Sequence, residues 1–574
     1  MGVASPERDS ITLLGNPTSG FTPQKEYEKM RTNGFDDLFE GGALRDGGAP
    51  RLFSRDYIGL VAQYAAVGLI DGVLPNTVYP FLQNYLNFSG PQTTSATTLV
   101  QLAWSFKVFY GMISDCFPIN GYRRRPYMII GWMLAIAMLI MMACTPLSDP
   151  YFLDPDLRDI DENNLTAAQK VFINHNANSN PAKYVIPMML CAFGYLVADV
   201  SADGVVVELA QREPLAVRGT TQSIIYGVRT VFNILAAFVV GFGMNGVDYG
   251  GDFSFSISFP IMMLGLAVVL APMLPLTWFF IREERVVRVE FRGYMRSLWQ
   301  IVQTRAVYQV IAYMFVSGIF MRFSYVSRSP IQSKIVQVDP IAEKLSLLVY
   351  NAVFASAIWT TGKYGLHWDW RKVPVYTMIG FVVLDATCVL VTVWDIYRAS
   401  WFWLLFPILE QVPQGLSFMV GTFVIVELSS EGHEGAMYGL LTTVYNVAAP
   451  VASVVTIYSN SVFDLSNERI KEDSNEVRWD ITITVFIMYA MNLLSLAFLF
   501  LLPRQKEETQ MLKRLGGSSY FMGAFTICYL LFALVWSVTM NLLGCFEATA
   551  CLRIAGGNGC GKKESSADGA GGRW

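Results

Sequence analysis

Apolar residues in this chain gather into long runs, not the alternating or 3.6-residue stripes of soluble elements. Such runs cover about 56–86, 95–115, 126–146, 184–210, 218–244 and 257–281. A second set covers about 306–328, 344–362, 374–395, 400–428, 437–463 and 480–502. At 1.5 Å per helical residue each can cross a hydrocarbon layer about 30 Å thick. A thirteenth run, 520–544, is equally apolar and is expected to be an extra C-terminal span. Residues 1–55 are polar and rich in Gly and Pro, without the apolar centre of a signal peptide, so they read as a disordered cytosolic tail. The pattern therefore predicts an all-α polytopic membrane protein. Residues 56–281 form one six-helix bundle, 282–305 a linker, and 306–502 a second bundle. Residues 503–544 are a basic loop plus the extra span, and 545–574 a polar tail.

Composition narrows the function classes. Only 15% of the 574 residues are charged against 53% hydrophobic, and mean hydropathy is +0.38, too little polar surface for a soluble particle. A net charge of −4 offers no global attraction for nucleic acid. The chain has three histidines, His175, His367 and His433, all in loops, so no metal centre, cofactor or enzymatic His chemistry is expected. Gly241, Gly243 and Gly246 spell GxGxxG but end an apolar span. Near Gly556 a P-loop-like stretch carries Lys563 where Ser or Thr belongs. Without a nucleotide domain, any transport would draw on ion or substrate gradients. Cys545, Cys551 and Cys560 cluster in the tail and read as unpaired, with one disulfide open to them on an oxidising side.

Basic residues set the orientation. Arg123, Arg124 and Arg125 lie between spans 2 and 3, Arg212 and Arg218 between 4 and 5, and six arginines between 6 and 7. Lys363, Arg371 and Lys372 lie between 8 and 9, and Arg504, Lys506, Lys513 and Arg514 follow span 12. All are alternate connections, hence one face, expected to be cytoplasmic together with the N-terminus. The acidic connection 147–183 and the sequons at Asn87 and Asn164 fall on the opposite face.

The chain also repeats itself. GMISDCFPINGYRRRPYMIIGW (111–132) parallels GKYGLHWDWRKVPVYTMIGF (362–381), and VVVEL (205–209) parallels VIVEL (424–428), with Tyr226 and Tyr445 each eighteen residues beyond the glutamate. The two register shifts differ by about the excess length of loop 147–183. A repeat of six spans gives two halves of like orientation, the architecture of a major-facilitator transporter with its site between them. The loop after span 2 resembles the major-facilitator signature through Gly111, Asp115, Gly121, Arg123 and Arg124. It departs by extra residues after Asp115 and by lacking the arginine that should follow directly.

DGVLPNTVYPFLQNYL (71–86), SFKVFYGMISDCFPINGYRRRPY (105–127) and VADVSADGVVVELAQREPLAVRG (197–219) together resemble the folate–biopterin transporter family, a branch of the major facilitators, over about residues 55–502. The resemblance implies proton-linked symport of folates or reduced pterins by a carrier expected to be monomeric, in the plasma membrane. Some members carry other solutes, including S-adenosylmethionine, so the substrate stays open. A non-transporting sensor on the same fold is a further alternative.

Ionisable side chains at bilayer depth cost about 2.5–3.5 kcal/mol each on insertion scales, so they pair or face a wet cavity. Here they are Asp71, Lys107, Asp199, Asp203 and Arg229 in the first half, and Arg322, Asp385 and Glu410 in the second. Asp199 and Asp203 are four apart and stack on one helical face; two adjacent carboxylates resist joint ionisation, which suits proton coupling. They could equally accept the N–H donors of a pterin, or merely neutralise Lys107 and Arg229. Asp71 sits in a helix expected to line the cavity. Lys107 and Arg229 are either folate-carboxylate partners or counter-ions. Arg322, the only deep cation identified in the second half, is the better partner for an anionic substrate group. Glu410, with Gln411 and Gln414 between Pro407 and Pro413, is a cavity-lining candidate in a span those prolines can break. Asp385 is expected to be local and structural. Glu208 and its repeat partner Glu427 are expected to hold a cytoplasmic gate with Asp115 and basic residues such as Arg123, Arg124, Arg371 or Lys372.

Overall fold

A computed structural model describes residues 40–545 except 89, 159–165, 167, 178–181, 252, 287–289, 339, 461, 464 and 466, and also residues 549 and 552. Each apolar run forms helix: α1 (Ile58–Tyr85), α2 (90–116), α3 (Arg125–Cys144), α4 (Ala182–Gln211), α5 (Thr220–Gly243) and α6 (Phe259–Phe279). The second half supplies α7 (Arg305–Met321), α8 (Pro340–Tyr364), α9 (Lys372–Val393), α10 (Ser400–Leu428), α11 (Glu434–Asn460) and α12 (Asn475–Leu501), followed by α13 (Tyr520–Cys545). Eleven of these are long and apolar enough to cross a membrane by themselves. The exceptions have physical causes. In α2 a 3-10 turn at Ala103–Phe106 separates two shorter segments, and α7 ends at Met321 instead of continuing to 328. Pro407 and Pro413 flank an interruption of α10 at Glu410, as the sequence predicts.

Small residues let the helices of the first bundle approach closely. A Cβ on Gly131 of α3 would meet Gly194 O of α4 at 2.6 Å, so this crossing needs glycine. The second bundle has its own core around Phe323, Ile331, Cys388, Trp403, Ile481 and Met488. Both halves carry a wide π-helical turn next to a proline, Tyr79–Tyr85 containing Pro80 and Ile331–Val336 following Pro330, a further trace of the duplication.

The basic face is more ordered than expected. The disordered tail was expected to reach residue 55, yet residues 40–57 form a strap. Leu44 N and Arg45 N both donate to Gln211 O at 2.9 and 3.1 Å, and Leu215 N donates to Gly41 O at 3.0 Å. The strap thus serves the last carbonyl of α4, which has no partner within its own helix. The linker contains an amphipathic helix, Phe291–Gln303, with Tyr294, Leu298 and Val302 buried. The basic loop expected after α12 also contains a helix, Lys506–Leu515, packed beneath α10. Beyond it α13 packs against α2, the linker helix and α11. Residues 1–39, Asn164, Cys551 and Cys560 lie outside the described residues, as does Ser89 of the Asn87 sequon.

Candidate functional site

Near the middle of the first bundle, the 3-10 turn of α2 delivers Lys107 as the first residue of the following helical segment. Its ammonium is buried and lies 2.6 Å from Asp199 and 3.2 Å from Asp203 of α4. The four-residue spacing stacks both carboxylates over one cation. The Tyr64 hydroxyl of α1 donates to Asp203 Oδ1 at 2.5 Å, whereas buried Asp199 Oδ1 has no donor among the described residues. Two carboxylates thus share one ammonium and one phenol. A second group lies on the same helices. Asp71 of α1 meets Arg229 of α5 at 3.3 Å and accepts from Tyr195 and Asn233 at 3.2 and 3.4 Å. This pair keeps about a fifth of its side-chain surface exposed, 21% and 19%. Trp104 joins the two groups, its ring 4.6 Å from the Lys107 ammonium and 5.1 Å from the Arg229 guanidinium. The hydroxyls of Tyr226 and Tyr438 bond to each other across the two bundles, and Phe418 packs edge-on against Tyr226.

In the second half, Arg322 caps α7 with its guanidinium over the Tyr445 ring at 3.6 Å and one N–H aimed at Gly318 O. Among the described residues it makes no ion pair within 4 Å. It is not the only deep cation there. Arg328 lies 3.6 Å from Glu410, and Glu410 is packed with Asp385 inside the second bundle, only 2% exposed, instead of projecting into the space between bundles. The repeat also misleads at Tyr445. Its counterpart Tyr226 is buried against Tyr438, while Tyr445 is half exposed.

The basic end is sealed by ionic contacts that cross between the bundles. Arg124, 1% exposed, reaches Asp115 at 2.6 Å, Glu434 of α11 at 3.3 Å and Glu208 at 3.8 Å. Asp115 also accepts from Ala436 N at 2.7 Å and from the Tyr294 hydroxyl at 3.1 Å. Arg45 of the strap pairs with Glu434. Glu427 pairs with Arg218 at 2.7 Å, not with the loop arginines expected, and accepts from Gln510 at 2.6 Å. Arg371 turns to Glu508 at 3.5 Å, and the backbone N–H groups of Arg123, Arg124 and Arg125 all donate to Glu283. Glu283, Glu434, Arg45 and Arg328 do not stand out in the sequence, and Arg218 does so only as one of the basic residues that mark the face. Glu213, five residues beyond Glu208, accepts from Gly219 N and Thr221 N at the start of α5, whereas Glu434, seven beyond Glu427, accepts from Gly432 N. Backbones touch at this end: a Cβ on Gly111 would meet Gly435 O at 2.1 Å, and one on Gly362 would meet the Ser223 side chain. These contacts close the space between bundles toward the basic face, and Asp71, Arg229, Arg322 and Tyr445, away from that seal, keep part of their surface exposed.

Comparison with known proteins bears on family and fold. The Synechocystis folate-biopterin transporter is 22% identical over 261 residues, 46% of this chain and 44% of that protein, so this match spans less than half of the relative. Probable folate-biopterin transporter 2 of Arabidopsis thaliana is 19% identical over 79% of this chain and 83% of its own length. Folate transporter 1 of Plasmodium falciparum is 20% identical over 80% and 81%. Among solved structures, a proton:xylose symporter bound to 6-bromo-6-deoxy-D-glucose superposes with a TM-score of 0.52 at 13% identity, covering 79% of this chain and 98% of that one, which shows the major-facilitator fold. The profile of the BT1 family matches residues 67–152 and 168–514. The chain is a multi-pass membrane transporter and belongs to the BT1 family.

Proposed function

We propose that this transporter carries folates or pterins by alternating access, driven by symported protons. The observation that carries the reading is the buried Lys107–Asp199–Asp203 cluster, where two carboxylates face one cation between the two bundles' closed and open ends. A proton on the pair would balance its charge, and substrate binding at the free Asp199 oxygen would couple to that proton. The relatives' names supply the substrate class. A flat pterin ring would stack on Trp104 beneath the Asp71–Arg229 pair, its amino and ring N–H groups donating to a carboxylate. Arg322, free of a carboxylate partner, would take the glutamyl carboxylate of a folate. The basic face would be cytoplasmic, with the N-terminus inside, the protein working as a monomer in the plasma membrane. Asp115, Arg124, Glu208, Glu427 and their partners would form its inner gate.

Uptake of labelled folate, biopterin and S-adenosylmethionine in cells lacking their own carriers tests this, with the proton gradient imposed or collapsed. Accumulation of folate or biopterin that vanishes on collapse is expected. Asp203→Asn should abolish accumulation while leaving exchange. Uptake of S-adenosylmethionine alone would reassign the substrate, and accumulation unchanged in the variant would remove Asp203 from coupling.

A further inference from the structure

A second buried ionic cluster lies inside the C-terminal bundle, apart from the space between the bundles. Asp385 of α9 and Glu410, at the break of α10, are each 2% exposed and lie beside each other in the second bundle. The cation facing them is Arg328, from the segment after α7, 3.6 Å from Glu410 Oε2. Tyr489 of α12 donates its hydroxyl to Asp385 Oδ2 at 2.8 Å. Tyr325 is 3% exposed and faces Asp385 and Arg328, yet among the described residues its hydroxyl has no hydrogen-bond partner, and neither has Glu410 Oε1. The remaining titratable neighbours are Cys388 of α9 and Tyr350 of α8, the latter bonded to Gln411.

Charge and hydrogen-bond counting then leave a deficit. Two ionised carboxylates only accept hydrogen bonds, so a buried neighbouring pair with a single cation resists joint ionisation. One arginine neutralises one of them, and the other would stand as an uncompensated buried anion at a cost of several kcal/mol. We infer that Asp385 and Glu410 form a proton-binding site within the C-terminal bundle, separate from the Lys107 cluster, that holds one proton between its two carboxyl groups. The proton would come from water beside the partly exposed Arg328, whose side chain is 38% accessible, with the unpartnered Tyr325 hydroxyl placed to pass it inward. Water or hydronium surrenders the proton, one carboxylate becomes a carboxylic acid, and no electrons move. The α10 break places Glu410 on a flexible joint, so loading this site would bias the bend of that helix.

This inference goes beyond the transport reading and does not depend on it. The test is infrared difference spectroscopy of the purified full-length protein in lipid nanodiscs across a pH step, in an Asp203→Asn background that silences the other cluster. A carboxylic-acid carbonyl band is expected, lost in both Glu410→Gln and Asp385→Asn, with one proton fewer bound per chain in each. Either single amide suffices, because the remaining carboxylate then ionises against Arg328. A band and a proton count unchanged in both variants would overturn the site. If one variant fails to fold, the other decides alone. Absence of folate uptake would leave this result untouched, and loss of the band would say nothing of substrate.

Discussion

Arg322 and Lys107 are both deep cations, but their surroundings set them to different work. Lys107 is consumed by two carboxylates and a phenol network, whereas Arg322 rests on Tyr445 and one carbonyl. A charge-assisted hydrogen bond contributes about 1.5–3 kcal/mol. Arg322→Ala is therefore expected to raise KM for folate by about 10- to 100-fold while changing that for biopterin, which lacks the glutamyl carboxylate, far less. Equal losses for both in uptake assays would return Arg322 to a structural role. Gly111 makes a sharper case. Alanine in a helix normally gains up to about 1 kcal/mol over glycine. Here the added methyl would strike Gly435 O at 2.1 Å and push α2 from α11 at the sealed end. Gly111→Ala should leave thermal stability within a few degrees of wild type, yet let thiol reagents reach the basic half of the chamber. A variant as well sealed as wild type would show that the crossing tolerates the methyl.

At the scale of elements, the strap and the Lys506–Leu515 helix act together on the basic face. The strap ties α4 to α11 through Gln211 and Glu434, and the tail helix ties the α4–α5 turn to α10 through Lys506, Gln510 and Lys513. Docking buries Lys506 and half-buries Lys513, and the loss of water pulls each ammonium down to about 8 from the usual lysine range. The sign follows from proton counting. Below about pH 8 both lysines are charged whether docked or released; above it the docked lysines lose protons that released ones keep until about 10.4. The docked, sealed arrangement therefore binds fewer protons and gains stability as pH rises from about 8 to 10. Thiol accessibility at the basic face should fall over that window, and the double variant Lys506→Gln, Lys513→Gln should flatten the dependence. None of this docking was legible in the sequence. The apolar runs announce helices because lipid demands them, and Asp199, Asp203 and Lys107 stand out because charge at that depth is rare. Residues 40–57 and 506–515 are ordinary polar segments, ordered only because orphan helix carbonyls and a buried glutamate lie across from them. Arg45 and Glu434 are 389 residues apart, a pairing no local pattern encodes.

The whole molecule is a duplicated unit whose two copies have diverged in their interiors. The first carries Lys107, Arg229 and three aspartates near the interface between bundles; the second buries Asp385 and Glu410, with Arg328 at their partly exposed edge, and rests Arg322 on Tyr445. Hydropathy and repeat matching recover the two six-helix halves, since both copies still answer to the same bilayer. They misplace Glu410 and Tyr445 because a linear register cannot tell which face of a helix meets the partner bundle. The captured arrangement, sealed on the basic side by Arg124–Glu434 and Arg218–Glu427, is one of the two that alternating access needs. Under the proposed alternating access, transport would require both pairs to break while contacts form at the other end. Moving such an equilibrium from 1:99 to 99:1 takes about 5.5 kcal/mol of differential binding. Two cysteine probes report it, in a background without the exposed Cys144 and Cys528. Tyr445→Cys, half exposed, should react with an impermeant reagent added on the loop 147–183 side, and Thr422→Cys, buried at the seal, should not react from either side. Adding substrate and protons should slow labelling at 445 and open 422 to reagent from the basic side. Reactivity at 445 and 422 that rises and falls together would mean that the two ends open at once, as in a channel.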